Sequence, residues 1–125
     1  MYTKQGLKEE DIKRIAEIEQ ILFLPHKAAE YDKCLSFLKA EKNCYIGLFN
    51  DQDLLIGYMN CVPLKKEVYD GYKNSTVDEE DVCGDSVVPF HKGDNYCLIE
   101  TIAVIPEYHK SQGVKLLVNA FMEFV

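Results

Sequence analysis

Apolar residues recur every three or four positions between Lys8 and Phe23, at Ile12, Ile15, Ile18 and Leu22, with charges between them. That spacing places one apolar stripe along a helix. Glu9, Glu10 and Asp11 in its first turn suit the positive end of the helix dipole. Pro25 ends this helix or opens the next, and a second stripe, Tyr31, Cys34, Leu35 and Leu38, predicts a helix from about Lys27 to Glu41. The period then changes. "NCYIGLFN" and "LLIGYMNCVPL" are short, apolar and rich in β-formers, and "NDQD" between them is turn chemistry, so residues 43–50 and 53–62 predict an antiparallel hairpin. Residues 65–94 are polar and acidic with little periodicity. They read as a long loop in which "DSVVPF" forms a short strand or irregular cover. "NYCLIETIAVI" is the strongest strand in the chain, and Val114, Leu117, Val118, Phe121 and Val125 place a helix after it. Residues 1–5 add a short opening strand.

The order strand, helix, helix, strand, strand, loop, strand, helix predicts an α+β fold, a sandwich-like arrangement of helices on a mainly antiparallel sheet. A length of 125 residues with 47% apolar content suits one domain with a real core, residues 1–125. The formal net charge of −7 argues against duplex nucleic acid or an anionic membrane as the main partner, since both reward a basic face. It tolerates a cationic substrate such as an amine.

The five cysteines, Cys34, Cys44, Cys61, Cys83 and Cys97, include no CxxC spacing, so neither a zinc site nor a redox motif is expected. Reduced thiols in a cytoplasmic protein are the plain reading. The charged N-terminus carries no signal-peptide pattern, and no apolar stretch approaches the ~20 residues of a membrane span.

The chemistry concentrates in "IETIAVIPEYHKSQGVKLLV", where a strand runs through a polar turn into a helix. A helix starting near Ser111 has unpaired N–H groups and a partial positive charge in its first turn. Gly113 there lets an anion approach the backbone, and His109, Lys110 and Lys115 offer cationic donors. Pro106 fixes the turn. An ordinary strand-to-helix turn accounts for the same residues.

"LIETIAVIPEYHKSQGVKLLVNAF" resembles the core motif of the GNAT superfamily of acetyl-CoA-dependent N-acetyltransferases: an apolar strand ending in Ala-Val, then x-Pro-x-Tyr, a basic glycine-containing turn and an amphipathic helix. The order of elements resembles the N-terminal portion of that fold. The resemblance implies that main-chain groups of Ile102, Ala103 and Val104 hold the pantetheine arm of acetyl-CoA like an added strand. It likewise implies that the turn of His109, Lys110, Ser111, Gln112, Gly113, Val114 and Lys115 cradles the pyrophosphate. Lys115 stands where the family turn carries a second small residue, and the spacing from Pro106 to Gly113 is one residue longer than the commonest form.

Glu100 is the candidate catalytic base, because an amine must lose a proton before it attacks a thioester and a strand carboxylate acting through water can take it. Alternation would place Leu98, Glu100 and Ile102 on one face, where Glu100 could equally pair with a lysine. No metal is implied. His26 and His91 read as solvated surface histidines. The "DEED" run at 78–81 reads as a solvated loop that could attract a cationic acceptor, and Tyr58, Tyr69 and Tyr72 as acceptor-pocket lining or packing. In the family a further strand and helix follow, so the chain is expected to be an incomplete domain, or one completed by another chain. Self-association through the open strand or the terminal helix is the corresponding expectation. A non-catalytic relative that binds acyl-CoA or a partner protein is the alternative to an enzyme.

Overall fold

The computed structural model describes residues 1–25, 28–91 and 94–124. Four strands, β1 (Tyr2–Lys4), β2 (Tyr45–Phe49), β3 (Leu55–Pro63) and β4 (Cys97–Val104), form one antiparallel sheet in the order β1-β2-β3-β4. The helices are α1 (Glu9–Leu22), α2 (Tyr31–Ala40), α3 (Lys66–Lys73) and α4 (Gly113–Phe124). The expected α+β class with a mainly antiparallel sheet is what the chain forms. Among the described residues no helix is long and apolar enough to cross a membrane.

β3 is buried at all nine residues, which explains its nearly unbroken apolar run: both of its faces are covered by helices. On one face Tyr58 donates its hydroxyl to the Glu19 carboxylate of α1. Tyr45, paired with Asn60 on the same face, donates to the Cys34 carbonyl of α2 at 3.3 Å. On the other face Leu48 and Val104, each opposite Gly57, lie against Gly113 at the start of α4. Gly57 has no alternative here, because a Cβ would come within 2.6 Å of the Ala103 carbonyl oxygen.

Helix α1 buries Ile12, Ile15 and Ile18 as the stripe requires, each worth about 1.5–3 kcal/mol of burial. Helix α2 is turned slightly from its expected stripe: Cys34 and Phe37 are buried, while Tyr31, Leu35 and Leu38 pack at the margin. In α4, Leu117 is the buried contact and Val114 is about half exposed. Val125 and His26 lie outside the described residues. All five cysteines are free thiols.

The segment read as a loop is folded. It contains α3 and two single-turn 3-10 helices, Glu79–Asp81 and Gly84–Ser86. Helix α3 has few apolar positions, and the tight turn after it is closed by Thr76 and Val77 donating to the Gly71 carbonyl. The "DSVVPF" stretch makes one bridge, Val87 with Leu64, and Val88 donates to the Pro63 carbonyl. Val82 and Val87 are buried and pin this excursion to the core. Phe90 meets Phe124 edge-on at 5.0 Å, so the apolar end of α4 has a cover that the sequence reading did not anticipate.

Strand β4 is an edge, and it is irregular. Asn60 pairs with Thr101, but Cys61 pairs with Ile99, so Glu100 is the extra residue of a β-bulge. The bulge overturns the alternation expected for this strand. Leu98 sits opposite Val62 and Ile102 opposite Met59, on opposite faces of the sheet, so Leu98, Glu100 and Ile102 do not share one face.

Removing the hydroxyl in Tyr58→Phe leaves part of the buried Glu19 carboxylate without its donor. The variant is expected to fold but to lose about 1.5–3 kcal/mol, the range for a hydrogen bond to a charged group. Tyr45→Phe, which loses a neutral bond, is expected to lose about 0.5–1.5 kcal/mol. Urea midpoints of the two variants check the order.

Candidate functional site

Glu19 and Phe23 at the end of α1, Lys33 and Phe37 of α2, and strands β2, β3 and β4 enclose a cleft of about 1060 Å³. The loop before α2 closes one side with Ala29 and Glu30, and the turn of Asp78, Glu79 and Glu80 overhangs another. Tyr45, Tyr58 and Asn60 supply sheet residues of the wall, and Glu100, Thr101 and Ile102 bring β4 to it.

The bulge is what brings Glu100 here. As the unpaired residue of the ladder it escapes strict alternation, and its side chain joins those on the α1–α2 side of the sheet. Burial pushes its carboxyl up from the ordinary 4.5 to about 7, and the neighbouring Glu79 carboxylate pushes the same way, while Lys33 opposes them. Glu100 Oε2 and Asn60 Oδ1 are buried without a hydrogen-bond partner among the described residues. Asn60 is only 3% exposed. An unsatisfied acceptor at such depth costs about 1–3 kcal/mol, and both of these belong to residues that line the cleft. The site is therefore prepared for a donor.

The strand-to-helix turn is a separate feature. Ile105 N–H bonds to the Ile56 carbonyl at 2.9 Å, and the alternation of an antiparallel ladder then turns the main-chain groups of Ala103 toward Tyr58 and those of Ile102 and Val104 toward the open edge. Of the three main-chain candidates, Ile102 and Val104 are thus the ones that face out. The Val104 carbonyl is already engaged by His109, whose ring Nε2 donates to it at 2.7 Å.

His109, Lys110, Ser111 and Gln112 are exposed, as are Val114 and Lys115 at the helix start. Gly113 is buried, and a Cβ there would lie 2.7 Å from Leu48 Cδ2, so helix-to-sheet packing by itself calls for a glycine. Its N–H donates to Ser111 Oγ at 3.1 Å, an internal cap. None of the residues of the turn lines the cleft, and Ile102 is the point where cleft and open edge meet.

Of Tyr58, Tyr69 and Tyr72, the candidates for pocket lining, only Tyr58 lines the cleft. Tyr69 packs on Tyr96 at 5.3 Å between ring centres, and Tyr72 is partly exposed. His91 is exposed. Among the described residues no group of three or more His, Cys, Asp or Glu side chains is placed to hold a metal ion. The sequence reading missed Glu19, Asn60 and Lys33. Glu19 had a signal: it falls on the same helix stripe as Ile15, Ile18 and Leu22, where a carboxylate must be buried. The position of the acidic turn had one too, in the lone Val82 that follows it.

Glu100 makes the stability of the fold depend on pH. With its carboxyl raised in the folded state, its contribution is fully present below about pH 4.5 and lost as pH rises through 7. Glu100→Gln, which cannot ionise, is expected to gain stability relative to the wild type across that window and to hold a constant advantage above about pH 8. Urea unfolding from pH 4 to 9 checks this, and parallel curves for the two proteins would show that Glu100 does not titrate in this window.

No protein-family model, curated protein or solved structure matches this chain.

Proposed function

We propose that the chain is an acetyl-CoA-dependent N-acyltransferase domain of the GNAT type, transferring an acetyl group to a primary amine, with Glu100 as the general base. The observation that carries the reading is the bulge: it delivers a carboxylate into an acidic cleft two residues before Ile102, whose main chain faces the open edge.

The residues present fit a CoA ester in part. The outward main-chain groups of Ile102 and the outward N–H of Val104 are placed to hold the pantetheine arm, and exposed Lys110 and Lys115 flank the start of α4, where the diphosphate would lie. Gly113 is explained by packing and is no added support. Acetyl-CoA, when bound, supplies the acetyl group as a thioester, which the free amine takes with release of the thiol.

The chain's own part is proton transfer and placement. At neutral pH an amine enters as an ammonium ion and cannot attack. The acidic walls attract it, and the Glu100 carboxylate removes one proton, directly or through a water, leaving the nitrogen lone pair free. A base with a pKa near the working pH is half available yet still strong enough to take the proton. Burial beside Glu79 places Glu100 in that range.

Three outcomes test the reading. Acetyl-CoA at millimolar concentration is expected to raise the melting temperature by mass action, and no shift would overturn it. Glu100→Gln is expected to lower turnover about 10²–10⁴-fold with CoA binding unchanged. The wild-type kcat/KM is expected to rise through about pH 7 as Glu100 ionises. Binding of CoA with no turnover of any amine would instead favour a binding domain. The open β4 edge is also the proposed route of self-association. Sedimentation velocity is therefore expected to show concentration-dependent association that acetyl-CoA reverses, and a monomer at high micromolar concentration would refute it.

A further inference from the structure

Among the described residues six carboxyl groups line the cleft, those of Glu19, Glu30, Asp78, Glu79, Glu80 and Glu100, with the cation Lys33. Glu19 is internally satisfied, accepting from Tyr58 and from the Ala29 N–H at 3.2 Å. The others fall in two groups. Deep in the cleft, Glu100 Oε2 and the Oδ1 of Asn60 are acceptors with no donor among the described residues, and Asn60 is 97% buried by its 3% exposure. At the mouth, Asp78, Glu79 and Glu80 are exposed along one turn, with Glu30 across from them on the loop before α2. Phe23, Ala29 and Phe37 add apolar surface to the same cleft.

This is a layout for a chain with cations at intervals and methylenes between. A single ammonium satisfies the deep acceptors and leaves the rim unneutralised. A bare divalent ion finds no set of three ligands among the described residues and makes no use of the apolar wall. We propose that the cleft binds a linear polyamine, with one ammonium on Asn60 and Glu100, a second at the Asp78–Glu80 rim, and the methylene chain against Phe23 and Phe37. The proposal deepens the acyltransferase reading by naming its acceptor, and it rests on that reading only for the acceptor role, because the binding it describes needs no acetyl-CoA.

The rim is held by construction. Val82, fully buried, anchors the acidic turn, and Asp78 N–H donates to Asp81 Oδ2 at 3.3 Å, which fixes the turn without using Glu79 or Glu80. Glu79 lies close enough to Glu100 to push its carboxyl up, and so links the rim to the deep acceptors.

Calorimetric titration without acetyl-CoA, at low salt and pH 8, tests the proposal with spermidine and n-butylamine as probes. Spermidine is expected to bind at least about tenfold more tightly than butylamine, since complementary charge at a second point adds to affinity and is screened by salt. The double variant Glu79→Gln/Glu80→Gln lies on an exposed turn and is expected to fold. It should weaken spermidine about tenfold while leaving butylamine within about twofold. Asn60→Leu should weaken both amines.

Equal affinity for the two amines, or a rim variant that binds spermidine unchanged, overturns the proposal. Tighter binding of trilysine or of Mg²⁺ than of spermidine also overturns it, in favour of a basic peptide or a metal. Spermidine binding without acetylation would sink the acyltransferase reading and leave the polyamine site standing. Acetylation of monoamines with no preference for spermidine would do the reverse.

Discussion

A carboxylate buried among apolar side chains has to find donors, and in this chain that requirement fixes the architecture around the cleft. Glu19 is 5% exposed; it accepts from the Tyr58 hydroxyl of β3 and from the Ala29 main chain. One side chain of α1 thereby joins the central strand to the loop that leads into α2. Leaving any of those acceptor positions empty would cost more than a typical surface bond contributes, so the three elements are bound to one geometry. Glu41 repeats the device at the far end of α2. It accepts from Asn43 N–H at 3.0 Å and from Phe90 N–H at 2.8 Å, which ties the acidic excursion to the core just where Phe90 covers Phe124. Two buried glutamates thus hold the two ends of α2, and Glu19 also lines the cleft.

Against that frame of satisfied groups, the irregular place on β4 carries the chemistry. A regular ladder would have paired Glu100 and committed its side chain to the face alternation assigns. The bulge releases it, and the released carboxyl lies where burial and Glu79 favour its protonated form. Bulges also twist an edge strand and interrupt its template for another strand. One extra residue therefore turns a carboxylate inward and confines the regular open edge to residues 101–104 beyond the bulge.

The strand-to-helix seam shows how one residue type answers to several causes. A glycine at a helix start is compatible with anion binding, but Gly113 is already required by the approach of α4 to Leu48. Likewise His109, a candidate donor to phosphate, bonds to the Val104 carbonyl. What the seam offers a ligand is the outward main chain of β4 and the exposed lysines.

The sequence by itself determined the elements whose periodicity is strong. The Ile12–Ile15–Ile18 stripe specified α1, the β-rich runs specified β2, β3 and β4, and their order specified an antiparallel sheet with helices, because apolar periodicity is a local property of the chain. It did not determine α3, whose short polar helix depends on the turn closed on Gly71, nor the face of α2, where Phe37 rather than Leu35 meets the core. The cleft was beyond it altogether. Glu19, Asn60, Glu79 and Glu100 are up to 81 residues apart (100 − 19 = 81), and only strand register, a single bulge and the buried Val82 bring them together. Such long-range pairings are fixed by packing of the whole core, which no window of sequence contains.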